Sequence, residues 1–173
     1  MNTFVAGERA TLEERLDLQR TEIAGLLADV DEDGARARLV PSLTTVLGLV
    51  KHATFVELVW FHARLAGRTR AEVGLPDTVE ESFTLEADDT VGSVRAAYVA
   101  ACEHSRAVAV GHDLDTTVEW HQGPVSLRWI YGHMIAELAR HAGHGDILLE
   151  QLAAREVATT SHSSTDEVSR LPS

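Results

Sequence analysis

The chain reads as an all-α protein, a four-helix bundle with one long connection between its second and third helices. Three observations predict this. Apolar residues recur at helical spacing over most of the chain, and the four long periodic segments are separated by Gly, Pro and acidic breakers. No alternating apolar and polar run is long enough for a packed sheet, so short connections between antiparallel helices remain the simplest arrangement. At 173 residues the chain has the length of one domain with a sizeable core.

The first helix is expected to begin at Thr11, where Thr11 and Glu14 fit the T-x-x-E capping box. Leu12, Leu16, Ile23, Leu26 and Leu27 form its stripe, which fades at the acidic DVDEDG turn. The second helix follows Pro41 with Ser42 as N-cap and runs to Leu65, before Gly67. It has two apolar sides: Leu43, Leu47, Val50, Leu58, Phe61 and Leu65 on one, Leu49, Val56, Val59 and Trp60 on most of the other. Lys51 and His62 mark a narrow wet strip, so this helix belongs at the centre of the bundle. Residues 67–89 are a connection, and its length points to a functional or crossing segment. The third helix runs from about Thr90 to Val110, carried by Val91, Val94, Ala97, Tyr98, Ala101 and Val108. VEW-HQGP-VSL suits a short hairpin, and the fourth helix extends from near Val125 to about Leu152. The domain is therefore residues 1–152. The Ser- and Thr-rich residues 153–173 lack an apolar period and are expected to be a disordered tail.

The net charge of −12 argues against a nucleic-acid backbone or an anionic membrane surface as partner. Leu39–Val50, the longest nearly uncharged stretch, is too short to span a bilayer. The N-terminus shows no basic segment followed by an apolar core, so a signal peptide is not expected. The single Cys102 leaves no internal disulfide and suits a reducing, cytoplasmic setting. Cys102 lies among alanines and reads as a small packing residue. No phosphate loop, nucleophile elbow or dinucleotide fingerprint is found.

The chemistry concentrates in HMIAELARHAGHGDIL on the fourth helix. With His133 at zero, Leu127, Ile130, Met134, Leu138, Leu148 and Leu152 fall between roughly 60° and 140°, Glu137 at about 40° and His141 at about 80°. A carboxylate facing the core needs neutralising. An imidazolium at i+4 would serve as an ion pair; a divalent metal would also serve, because side chains at i and i+4 converge. Both readings stand at this point. A metal needs a third ligand from another helix, and His52 on the second apolar side of the second helix is the candidate, although a lone His there also fits an ordinary core position. Singly, His62, His104, His112, His121, His133, His144 and His162 read as surface residues.

LGLVKHATFVELVWF on the second helix and LRWIYGHMIAELARHAGHGDIL on the fourth carry the motifs H-x-x-x-V-E-x-x-W-F and E-x-x-R-H-x-G-H-x-D. In these motifs the chain resembles the DinB superfamily from about residue 10 to residue 152. The closer match is an actinobacterial branch of uncharacterised proteins related to the mycothiol-dependent maleylpyruvate isomerases. The resemblance implies an up-down-down-up bundle, commonly dimeric, with a metal on three side chains. Three histidines are the common set, and in the mycothiol-linked branch the middle one is glutamate. Carried over residue by residue, the ligands are His52, Glu137 and His141, the positions that the helical plot singles out.

The same resemblance implies that the metal, zinc or alternatively nickel, binds a low-molecular-weight thiol as thiolate for attack on an electrophile. Two His and one Glu leave a fourth position on zinc open for it. His144, one turn beyond His141, is the candidate general base or hydrogen-bonding support; Arg140 and Asp146 read as packing or orienting residues. Val56, Val59 and Trp60, with Trp129 nearby, are the expected substrate wall. No counterpart of the isomerases' separate C-terminal domain is found, which sets the chain apart from isomerase activity. Three functions follow: a metal-dependent transferase of a small thiol, with mycothiol foremost, to a small electrophile; a metal-assisted hydrolase; and a non-catalytic, stress-related metal- or ligand-binding bundle. The partners expected are a thiol, an electrophile and a second copy of the chain.

Overall fold

The computed structural model of the protein describes residues 5–168, apart from the side chains of Glu156 and residues 159–168. Four main helices pack together: α1 (Glu8–Gly25), α3 (Val46–Glu57), α4 (Val91–Val110) and α5 (Leu127–Val168), with a short α2 (Glu32–Arg36) between the first two. α1 packs chiefly on α5 and α3 chiefly on α4, while α3 also touches α1, α2 and α5. That central place follows from its two apolar sides: Leu47, Leu49 and Val50 are all fully buried. Each such side chain contributes about 1.5–3 kcal/mol relative to an exposed one.

Several boundaries differ from the expectation, each for a local reason. α1 starts at Glu8 because the Thr11 hydroxyl donates back to the Gly7 carbonyl at 3.1 Å instead of capping. The acidic turn folds into α2, with Asp31 accepting from the Gly34 amide at 2.8 Å. α3 is capped by Thr45, which accepts from the Gly48 amide at 2.9 Å; Ser42 is occupied with Thr44, and Leu43 lies outside the helix. α4 starts at the expected place, because Thr90 and Ser93 complete a capping box. The short hairpin is present, with Thr117 opposite Ser126 and Val118 opposite Val125.

α3 runs without a break into a π-helical segment, Leu58–Leu65. Its wider turns rotate later side chains away from the 3.6-residue plot. His62, expected to be wet, is therefore buried, with Nε2 3.0 Å from the Ala101 carbonyl oxygen and 3.2 Å from Ser105 Oγ. Burial pushes its pKa down. By length and composition the combined segment, Val46–Leu65, could also cross a membrane, which the shorter stretch read from the sequence could not. Here about two thirds of it is buried inside the bundle. It carries Glu57, fully buried, whose two oxygens accept from Arg20 Nε and Nη2 at 2.8 Å each.

Among the described side chains Leu152 is the last partly buried one of α5, but the helix continues to Val168. The expected disordered tail is thus helical over 153–168, while 169–173 lie outside the described residues. Extending a formed helix fixes one residue for each bond gained, and Ala153, Ala154 and Arg155 are strong helix formers.

Candidate metal centre

α3 and α5 bring together the three residues singled out from the sequence. His52 is 2% exposed on α3, facing Glu137 and His141, which stand one turn apart on α5. Glu137 Oε1 lies 3.1 Å from His141 Nε2 and 3.6 Å from His52 Nε2. One ligand atom from each residue lies within 4.8 Å of the other two. Ligands held 2.0–2.1 Å from a tetrahedral ion stand about 3.4 Å apart, so the two measured edges bracket the required separation.

The electrostatics also suit a cation. The hydrogen bond from His141 and the nearness of His52 hold the Glu137 carboxyl well below the usual carboxylate range. Burial pushes the His52 pKa down, with Glu137 acting the other way. Among the described residues no Lys or Arg pairs with Glu137; only the two imidazoles reach it. Among the described residues His141 Nδ1 is buried without a hydrogen-bond partner. An imidazolium there would bury an N–H with no acceptor, which weakens the simple ion-pair reading. Two neutral imidazoles would leave the carboxylate uncompensated. A divalent cation on the N, O, N donor set removes that deficit, so the residues fit the group.

Aromatic rings pack around His52. Phe83 stacks on its ring at 4.0 Å with an 11° tilt, and Phe55 lies at 5.9 Å. Ser82 Oγ is 2.7 Å from its Nδ1. Glu137 and His141 have side chains 23% and 12% exposed, so the opening to solvent is on the α5 side. A cleft of about 540 Å³ between α3, the long connection and α4 is lined by Ser82 and Phe55, among others, but by none of the three ligand candidates.

His144 is exposed, its ring 5.8 Å from that of His141. Arg140 and Asp146 are exposed beside it on α5. The expected substrate wall divides in two. Val56 and Trp60 are each 5% exposed and belong to the core, whereas Trp129 is 39% exposed. Trp60, Trp120 and Trp129 form one cluster with neighbouring ring centroids 5.3–6.0 Å apart. His133 stacks flat on Trp129 at 5.0 Å and meets the Trp60 edge at 4.9 Å. Burial lowers the His133 pKa, against the field of Glu137 one turn along α5. His162 belongs to a part of α5 whose side chains lie outside the described residues. Ser82, Phe83 and Trp120 had no individual sequence signal; only the length of the connection marked the first two.

Comparison with curated proteins gives no match. A family model described as mycothiol-S-transferase matches residues 11–154, which include both halves of the metal centre, all of α3 and α4, most of α1 and the larger part of α5. With the helical bundle and the His/Glu/His cluster in place, that match covers most of the chain. The chain therefore belongs to the mycothiol-S-transferase family, within the DinB/YfiT-like metal-binding superfamily.

Proposed function

We propose that the protein is an enzyme that joins the sulfur of mycothiol to a small electrophile at a divalent cation held by His52, Glu137 and His141. Zinc is the cation proposed, with nickel as the alternative for the same donor set. The observation that carries the reading is a carboxylate set between two imidazoles with no Lys or Arg paired to it among the described residues. A cation held by these residues would supply positive charge beside the thiol and so lower the pKa of its sulfur.

The chain's own residues do the rest. His52 and Glu137 fix the site from two helices, and the stacked Phe83 keeps water from the back of His52. His144, on the solvent side of His141, receives the thiol proton and passes it to bulk water or to the product. The sulfur electron pair forms the new S–C bond, and the electrophile's displaced pair takes up a proton or leaves with its group. The partly exposed Trp129 and the His133 stacked on it offer a flat shelf for the electrophile, with Trp60 packed against both rings. The match to the mycothiol-S-transferase family supports this thiol chemistry. The protein proposed is a cytoplasmic homodimer without nucleic acid or membrane as partner, and its net charge of −12 supports those two exclusions.

Elemental analysis of untagged protein beside Glu137→Ala tests the centre. About one zinc or nickel per chain, lost in the variant, is the expected result; a metal-free wild type after reconstitution refutes it. Incubation with mycothiol and a panel of electrophiles, followed by mass spectrometry, tests the transfer. An S-conjugate whose formation needs both metal and thiol is expected. Turnover without thiol would establish the hydrolase reading, and no turnover with a tightly held ion the non-catalytic one. Light scattering at twice the 18.8 kDa chain mass is expected for the dimer.

A further inference from the structure

The edge of His52 that faces away from Glu137 is as closely controlled as the edge that faces it. We propose that Ser82 is a positioning residue that locks His52 in the Nδ1–H tautomer and so presents its Nε2 lone pair to the centre. The inference rests on the reading of His52, Glu137 and His141 as cation ligands.

The argument is a count of protons. His52 Nδ1 and Ser82 Oγ are 2.7 Å apart, and both residues are buried, at 2% and 3% exposure. Either atom can donate in such a contact. A serine hydroxyl, however, has only one proton, and Ser82 Oγ also contacts the carbonyl oxygen of Val79, which can only accept. The hydroxyl therefore donates to Val79, and its lone pair receives the proton of His52 Nδ1. At the other edge Nε2 is 3.6 Å from Glu137 Oε1, too far to be a hydrogen bond that would hold a proton there. The short contact on one side and the long one on the other select the same tautomer. A neutral imidazole bound through one nitrogen and hydrogen-bonded through the other is the usual arrangement at metal sites.

The ring is also prevented from turning over. Phe83, next to Ser82 in the 3₁₀ turn Glu81–Phe83, stacks on its face at 4.0 Å. One turn of backbone therefore fixes both the edge and the face of His52. That turn can seat because residue 48, one helical turn before His52, is glycine. A Cβ on Gly48 would lie 3.0 Å from the Phe83 carbonyl oxygen, a backbone atom that cannot swing aside, and 3.0 Å from Thr45 Oγ1. These contacts give the long connection a role: it delivers Ser82 and Phe83 to a histidine 30 residues earlier in the chain.

The test uses the full chain. Long-range ¹H–¹⁵N correlation spectra of the metal-free protein at pH 7.5, with His52 assigned from a His52→Gln spectrum, report which ring nitrogen carries the proton. The wild type is expected to show Nδ1 protonated and Nε2 bare, Ser82→Ala a mixture of tautomers, and Ser82→Thr the wild-type pattern. Zinc titration against a chromophoric chelator should show affinity 10–100-fold weaker in Ser82→Ala, restored in Ser82→Thr. An Nε2–H tautomer in the wild type, or wild-type zinc affinity in Ser82→Ala, overturns the proposal. Should Ser82→Ala not fold, Gly48→Ala displaces the turn with the hydroxyl intact; mixed tautomers are expected, and an unchanged spectrum counts against Ser82. A wild type that binds no zinc refutes the cation reading instead, because the tautomer is still read in the metal-free protein.

Discussion

Replacing Arg20 by Met should destabilise the protein more than almost any other single change in its core. Arg20 is 5% exposed and Glu57 0% exposed. The guanidinium donates twice to the carboxylate at 2.8 Å, once to Asp17 at 2.9 Å, and packs 5.5 Å from the Phe61 ring centre. Methionine keeps much of the packing volume but leaves the Glu57 carboxylate buried with neither of its donors. Breaking a buried pair in this way costs about 3–5 kcal/mol, a large part of the 5–15 kcal/mol typical of a whole domain. Restoring balance with Glu57→Leu in the same chain should recover most of that loss, because two apolar groups need no partner. Urea unfolding of the wild type, both single variants and the double variant completes the cycle. If Arg20→Met alone lies within about 1 kcal/mol of the wild type, the fork does not hold α1 to α3, and the account of this buried charge is wrong.

Two glycines on α5 should respond in opposite directions. At Gly145 a Cβ would come within 3.0 Å of Leu26 Cγ and closer still to both its methyl carbons, so Gly145→Ala overpacks the α1–α5 contact at a cost of about 1–3 kcal/mol. That outweighs or cancels the gain of up to about 1 kcal/mol in helix propensity. At Gly143 nothing lies within 4 Å, so Gly143→Ala should raise the thermal midpoint; the same sign in both variants would refute the packing argument. Burial lowers the pKa of His62, so the unfolded chain binds a proton that the folded one refuses. This contribution to stability is fully present above about pH 6.5 and is lost as the pH falls through the folded-state value. Unfolding free energies of metal-free protein at pH 7.5 and 5.5 should show a decline that is shallower in His62→Gln. Burial, reinforced by Glu57, pushes the Cys102 thiol up to about 12. Iodoacetamide at pH 7.5 should therefore label it only after urea unfolding, and rapid labelling of the folded protein would contradict its burial.

The helical period shows the bundle because core-facing residues must recur every three to four positions wherever a helix packs. The same geometry made Glu137 and His141 legible, since both lie on one helix and their convergence is a local property. His52 was legible for a different reason: a histidine among Leu49, Val56 and Val59 stands out against its apolar side. His62 was misplaced because the period assumes 3.6 residues per turn, and the π-helical segment departs from it after Glu57. The end of α5 was misplaced because loss of an apolar face ends packing without ending the helix.

What the sequence determined by itself is therefore the set of helices, their buried faces and the donor types available for a cation. These depend on spacing within single segments. The tertiary structure alone decided that Ser82 meets His52, that Phe83 covers its ring, and that three tryptophans from the π-helical segment, the hairpin and α5 gather beside His133. The physical reason is that such contacts join residues far apart in the chain. Their geometry depends on how whole segments dock, and the proton on a buried imidazole is assigned only when the atoms at both of its edges are known.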